Sequence, residues 1–210
     1  MQNTINLPHE EISTSEIHAQ YYWLNKFPPG TRRFRGRSYR RLKRIMDLLI
    51  VLLASPFIFP VTFICIILIW LEEPGAPVFF QQERTGKGGK RFRMYKFRTM
   101  VVNAGELKKK LEHLNELQWP DFKISNDPRI TRIGRFLRKT SLDELPQVFN
   151  VLMGDMSLVG PRPTSFSTET YQLWQTERLD VVPGITGLWQ IYGRSSTEFD
   201  ERLRMDIAYI

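Results

Sequence analysis

The sequence contains a single cysteine, Cys65, among 210 residues. An intrachain disulfide is therefore excluded, and cysteine usage gives no sign of secretion. His9 and His18 stand outside any metal-ligand pattern. No Gly-x-Gly-x-x-Gly is present, which removes the dinucleotide fingerprint, and no Asp-x-Asp, the metal motif of sugar-nucleotide glycosyltransferases. The glycine-rich Thr85-Gly86-Lys87-Gly88-Gly89-Lys90 lacks the spacing of a Walker A loop and the Ser or Thr that must follow its Gly-Lys, so it reads as a flexible hairpin tip. Acidic charge is in deficit, with 22 Asp and Glu against 30 Lys and Arg and a formal charge of +8. That surplus favours phosphate-bearing partners: nucleic acid, anionic lipid or nucleotide. A chain of this length has room for one catalytic domain and little else.

Charge is missing most conspicuously between Leu48 and Leu71. The run is about 24 residues long, enough for a straight helix to cross a hydrocarbon core of about 30 Å. It starts too deep in the chain for a secretory signal. A nucleic-acid binder would give it no role, so nucleic acid is not an expected partner. Ser55-Pro56 and Pro60 interrupt it. Each proline removes an N–H and crowds the carbonyl four residues back, at about 3 kcal/mol in a helix interior. In lipid the freed carbonyl finds no water, and the Ser55 hydroxyl is placed to bond back to an earlier carbonyl. Two prolines one turn apart predict a sharp bend. Basic residues lie on both sides, Arg40, Arg41, Lys43 and Arg44 before the run and Lys87, Lys90, Arg91 and Arg93 after it. Positive charge marks the cytoplasmic face, so a re-entrant helix broken at Ser55-Pro56 is expected; a kinked span is the alternative.

The remaining chain reads as α+β and predominantly helical. Residues 1–37 form a polar extension, 38–72 the basic flank and membrane helix, and 73–210 a small cytosolic catalytic domain. Val78–Gln82 and Arg91–Arg98 read as the strands of a β-hairpin. Residues 103–118 read as a charged helix with Leu107, Leu111 and Leu114 inward, ended by Trp119-Pro120-Asp121. Arg129, Arg132, Arg135 and Arg138 recur every third residue, a basic ridge suited to lipid headgroups or substrate phosphates.

Thr140-Ser141-Leu142-Asp143-Glu144-Leu145-Pro146-Gln147 opens an apolar helix that Gly154 suits as a stop. Ser141-x-x-Glu144 can be a capping box, although Pro146 then falls badly; a start nearer Asp143 puts the proline in the tolerant first turn. Either way two carboxylates lie at the positive end of a helix, which is expected to keep Asp143 ionised. An ionised carboxylate beside a phosphate can act as a nucleophile, and its neighbour can hold Mg²⁺. Pro161 and Pro163 fix the backbone around Arg162, which suits bidentate phosphate binding. Trp189 and Tyr192 read equally well as uracil-stacking rings or as core.

Several of these segments, in this order, carry a specific resemblance. Lys43-Arg44 with the broken apolar run, Tyr95-Lys96-Phe97-Arg98-Thr99-Met100, Thr140 to Gln147, Ser157-Leu158-Val159-Gly160-Pro161-Arg162-Pro163 and Pro183-Gly184-Ile185-Thr186-Gly187 resemble the bacterial sugar transferases, the monotopic polyprenyl-phosphate phosphoglycosyl transferases, over roughly residues 40–210. The resemblance implies transfer of a sugar-1-phosphate from a UDP-sugar to polyprenyl (undecaprenyl) phosphate with release of UMP, initiating exopolysaccharide, capsule or O-antigen synthesis. It implies Asp143 as nucleophile through an aspartyl-phosphosugar intermediate, Glu144 at the Mg²⁺ site, and Ser55-Pro56 as the helix break. Lys96, Arg98 and Arg162 are added as phosphate contacts. Expected surroundings are the bacterial cytoplasmic membrane, with the catalytic domain on its cytosolic face, anionic lipid and downstream glycosyltransferases. The sequence looks like the short form of the family. Its members usually continue past Asp206-x-x-Tyr209 into a Trp-rich amphipathic stretch, whereas this sequence stops at Ile210. The alternative is therefore a membrane-anchored relative of weak or no activity.

Overall fold

A computed structural model describes residues 36–116, 122–192 and 199–210. Most of the polar extension, and all of Trp119-Pro120-Asp121, lie outside the described residues. The chain divides into two units, Met1–Arg41 and Leu42–Ile210. The second unit holds every described element except the first residues of the long apolar helix.

Helix α1 runs from Gly36 to Glu72 without interruption, Pro56 and Pro60 included. The expected break at Ser55-Pro56 is thus a break in the hydrogen-bond ladder and not in helical conformation. Pro56 deprives the Leu52 carbonyl of its donor, and Ser55 Oγ supplies one at 2.7 Å. Among the described residues α1 is the one helix long and apolar enough to cross a membrane. It is also tied at both ends to the rest of the unit. Near its start, Asp47 accepts hydrogen bonds from Ser157 Oγ at 2.7 Å and Leu158 N at 3.3 Å. Arg44 donates to the Val151 and Leu152 carbonyls. At its end, Glu73 accepts from Arg98 at 2.6 Å and Glu72 from Ile133 N at 3.1 Å. Val51 joins one buried apolar cluster, with Phe92, Met94, Val151 and Met156. Cys65 and Ile69 join another, with Phe97 and Leu137. Truncating a leucine as buried as Leu137 typically costs about 2–5 kcal/mol.

The hairpin forms as expected, from β1 (Phe79–Thr85) and β2 (Arg91–Phe97), paired antiparallel with Phe80 opposite Lys96 and Arg84 opposite Phe92. Opposite residues share a face, so Arg84 and Lys96 project with Phe92 and Met94. Helix α2 (Ala104–Lys110) and a 3₁₀ turn at Glu112–Leu114 replace the single longer helix expected there. Leu114 is exposed, not inward.

Helix α3 (Arg132–Thr140) is capped by Thr131 Oγ1, which accepts from Gly134 N at 2.9 Å. Gly134 is required: a Cβ there would lie 2.2 Å from the Thr99 carbonyl oxygen. After a 3₁₀ turn, α4 (Gln147–Met153) ends at Gly154 in the left-handed region, φ 90°. Its buried Asn150 accepts from Tyr95 N and donates to the Arg93 carbonyl, fixing α4 against β2. β3 (Ser157–Val159) pairs in parallel with β4 (Gly184–Thr186). Helices α5 (Leu188–Tyr192) and α6 (Phe199–Tyr209) complete the described chain. The fold is predominantly helical, with two two-stranded sheets.

Candidate active site

Asp143 and Glu144 lie on the 3₁₀ turn Leu142–Glu144 between α3 and α4. No capping box forms. Ser141 instead terminates α3 in the left-handed conformation, φ 59°, with its N–H on the Arg138 and Leu137 carbonyls and no side-chain cap to the 3₁₀ turn. Pro146 falls at the boundary of α4, where its missing N–H costs no helical bond. The Glu144 side chain is thereby free of any capping role and points elsewhere.

It meets two cations. Lys96 Nζ donates to Glu144 Oε1 at 2.8 Å; Arg162 reaches the same oxygen through Nη2 at 2.5 Å, and Oε2 through Nη1 at 3.3 Å. Asp143 is only 9 % exposed. Among the described residues its carboxylate takes no hydrogen bond or ion pair. Two adjacent acids therefore have opposite conditions, one clamped and one unencumbered.

The segment carrying Arg162 is held at four successive carbonyls. Gly184 N donates to Pro161 O at 2.9 Å, Arg178 Nη2 to Arg162 O, Arg84 Nη1 to Pro163 O at 3.3 Å, and Thr85 N to Thr164 O at 2.9 Å. With Pro161 and Pro163 fixing φ on either side, the guanidinium is presented from a backbone with little freedom.

Burial works to raise the Glu144 carboxyl, but the Arg162 hydrogen bond and charge, with Lys96 behind them, outweigh it and hold it at about 2. Asp143 moves the other way. Burial raises it, Lys96 opposes the rise, and Glu144 adds to it. The helix dipole expected to keep Asp143 ionised is opposed here by desolvation: the dyad precedes a seven-residue helix on a 3₁₀ turn, and burial is the largest influence on the carboxyl. Lys96 is lowered by burial and by the neighbouring Arg162 charge. Arg84 is lowered to about 10 by burial and then by Arg162. Cations crowded this closely leave the site in want of further negative charge.

Of the sequence-derived residues, Lys96, Asp143, Glu144 and Arg162 come together. Arg98 does not join them; it is buried and bonded to Glu73 at the end of α1. Ser55 and Pro56 lie within α1. The arginine ridge is divided. Arg129 precedes α3 and pairs with Asp127 at 2.6 Å, whereas Arg138 bonds Thr99 Oγ1 at 2.9 Å and bears electrostatically on Asp143. Trp189 is half-buried under the Arg202 guanidinium, 5.5 Å from the ring centroid, and Tyr192 is exposed. Arg84 and Arg178 were missed. Arg84 was hidden because the first strand reads as ending at Gln82; extending it to Thr85 puts Arg84 on the face of Lys96.

An apolar helix of membrane-crossing length points to membrane association, and the domain it is tied to carries a carboxylate pair among cations. The chain belongs to the bacterial sugar transferase family, whose profile matches residues 38–210. It is 42% identical over 207 residues to galactosyl transferase CpsE of Streptococcus agalactiae, covering 98% of this chain and 44% of that protein. It is 45% identical over 185 residues to undecaprenyl-phosphate galactose phosphotransferase of Salmonella typhimurium, covering 83% and 37%. With exopolysaccharide production protein ExoY of Sinorhizobium fredii it shares 36% over 173 residues, covering 80% and 76%. The chain thus spans less than half the length of the first two relatives.

Proposed function

We propose that this protein transfers a sugar-1-phosphate from a UDP-sugar to undecaprenyl phosphate, through a covalent ester on Asp143, as the first step of surface polysaccharide assembly. The observation that carries this reading is the contrast within the dyad. Glu144 is fixed by Lys96 and Arg162, while Asp143 stands beside the same cations with no hydrogen bond or ion pair of its own among the described residues. An oxygen of Asp143 attacks the β-phosphorus of the UDP-sugar, the bond from that phosphorus to the bridging oxygen breaks, and UMP leaves with the electron pair. An oxygen of the lipid phosphate then attacks the same phosphorus and releases the Asp143 carboxylate. Lys96 and Arg162 stabilise charge on the phosphoryl oxygens in both steps. The relatives' names supply the lipid carrier and galactose as the first sugar to test.

Mg²⁺ fits this reading. Asp143 and Glu144 offer two hard oxygen donors, and among the described residues Glu144 Oε2 carries only the 3.3 Å bond from Arg162. Among the described residues no group of three or more His, Cys, Asp or Glu stands together. Mg²⁺ is commonly held by one or two carboxylates and completed by substrate phosphates. When bound, Mg²⁺ neutralises diphosphate and leaving-group charge.

In this reading the apolar helix bends at Pro56 and Pro60 while staying helical, and so enters and leaves the membrane by its cytosolic face. Both flanks of the run bond to one domain, Asp47 with Ser157 at one end and Glu73 with Arg98 at the other, and a single domain cannot sit on both sides of a bilayer. Phe149, Leu152 and Met153 are exposed on α4, whose terminal carbonyls Arg44 holds one turn before Leu48. They are placed to meet the interface. Single cysteines at Ser38 and Lys87, in a Cys65-free background, resist a membrane-impermeant thiol reagent in intact cells; labelling of either from outside contradicts re-entry.

The decisive assay offers the purified protein a panel of UDP-sugars with Mg²⁺ and measures UMP. Release with at least one sugar, and lipid-linked product on adding undecaprenyl phosphate, is the expected result. Absence of UMP with every sugar refutes the reading. The acid limb of the rate profile should belong to Asp143. Glu144, at about 2 against its usual 4.5, stays charged through the working range, whereas Asp143 is raised above its usual 3.8 and must lose its proton to attack. Lys96 opposes that rise, so Lys96→Met moves the limb to higher pH as well as slowing the reaction. A limb that stays in place, or moves down, assigns the titration to another group.

A further inference from the structure

We infer that Asp206, on α6, is a positioning residue for Arg162 and acts through Arg178. The inference rests on the functional reading above only in taking Arg162 as a phosphate-handling group. Arg178 and Asp206 are among the most deeply buried charged residues described, at 4 % and 1 % exposed. Asp206 Oδ2 accepts from Arg178 Nη2 at 2.5 Å, and the same Nη2 donates to the Arg162 carbonyl. Arg162 in turn holds Glu144. A continuous chain of contacts therefore leads from the last helix to the acidic dyad. A second tie runs parallel to it, from Tyr209 Oη to the Val159 carbonyl at 3.0 Å, three residues before Arg162.

The pair is a poor device for stability alone. Burying two charges forfeits hydration that their attraction recovers only with well-satisfied geometry. Here Arg178 Nη1 has no hydrogen-bond partner among the described residues, and Asp206 Oδ1 has none of good geometry, although the Arg162 backbone N–H also bears directly on the Asp206 carboxylate. What the arrangement achieves is one donor nitrogen aimed at one carbonyl. Of the four donors on the Pro161–Thr164 carbonyls, two are backbone N–H groups fixed by strand pairing and Arg84 makes a long bond of 3.3 Å. Arg178 holds the remaining carbonyl, that of Arg162 itself, and among the described residues Asp206 alone neutralises it by direct contact. Without that carboxylate the guanidinium is a lone buried charge, which is drawn toward water and away from the Arg162 carbonyl.

Asp206→Asn keeps the shape and removes the charge. It should lower kcat/KM for UMP release from UDP-galactose about tenfold, since small misplacements of a positioned group carry losses of this order. The decisive arm is a double-mutant cycle. In an Arg162→Ala background Asp206→Asn should cost nothing further, because the group it positions is gone. The same fractional loss in both backgrounds would overturn the inference. A second arm needs no turnover. Hydrogen–deuterium exchange of the peptide containing residues 160–165 should rise in Asp206→Asn by more than that of peptides elsewhere in the domain; exchange there that is unchanged, or raised no more than elsewhere, also overturns it. If Asp206→Asn folds poorly, Asp206→Asn with Arg178→Gln removes both charges and is read in the same two ways. Failure of the wild type to release UMP refutes the functional reading alone, and the exchange arm then decides this inference.

Discussion

Asp143→Asn abolishes both the burst of UMP seen before lipid is added and the sugar-phosphate adduct on the protein. Asparagine fits the same volume on the 3₁₀ turn, and among the described residues Asp143 has no hydrogen bond or ion pair to lose, so the fold and the Glu144 clamp should persist. What disappears is the charged oxygen that divides one hard transfer into two easier ones. Loss of a nucleophile commonly costs about 10⁴-fold or more, depending on what residual route the site supports. Peptide mass spectrometry with UDP-sugar and no acceptor should find the wild-type ester on Asp143 and no ester in the variant. A variant that still transfers sugar-phosphate near the wild-type rate would make direct attack by the lipid phosphate the better mechanism.

Glu144→Gln should be the next most damaging change, by a different route. Glutamine cannot neutralise Lys96 and Arg162, which approach one carboxylate oxygen at 2.8 and 2.5 Å, and Arg84 adds a third cation to the group. The freed cations repel one another and move. Transition-state charge stabilisation by a preorganised donor is worth about 10²–10³-fold, and a loss of that size in kcat is expected. The Mg²⁺ concentration for half-maximal rate should rise as well, because a hard anionic ligand is gone. The Asp143 adduct should still form, slowly. An unchanged Mg²⁺ requirement would remove Glu144 from the metal site and leave it as a clamp for cations.

The membrane segment, the hairpin and the dyad were legible because each has a local signature. A charge-free run, two strands around a glycine-rich tip, and an acidic pair before an apolar helix are all contiguous in sequence. The Ser55 bond to the Leu52 carbonyl was legible for the same reason, since a proline dictates which carbonyl is freed. What could not be read were long-range partners. Arg98 belongs to the same strong motif as Lys96, yet Glu73 captures it at the far end of α1. The capping box at Ser141-x-x-Glu144 was plausible until Lys96 and Arg162 claimed the glutamate. Desolvation of Asp143 depends on packing from β2, α3 and the Arg162 loop, which no spacing reveals. Arg178 carried no signal and Asp206 stood only as a landmark near the end of the family-like region, because burial of an ion pair leaves no trace in composition.

The contacts that fasten the start of α1 have a consequence for the order in which the protein is made. Asp47 finds its partner Ser157 only 110 residues later in the chain, a delay of roughly 5–20 s at typical translation speeds. The apolar stretch leaves the ribosome long before the strand that will hold its first turn exists. With α1 seated in the membrane as proposed above, Asp47 and Arg44 stay hydrated at the bilayer surface through that interval, and the helix commits to lipid on its own hydrophobicity. Docking of the newly made domain then comes last, onto an anchor already in lipid.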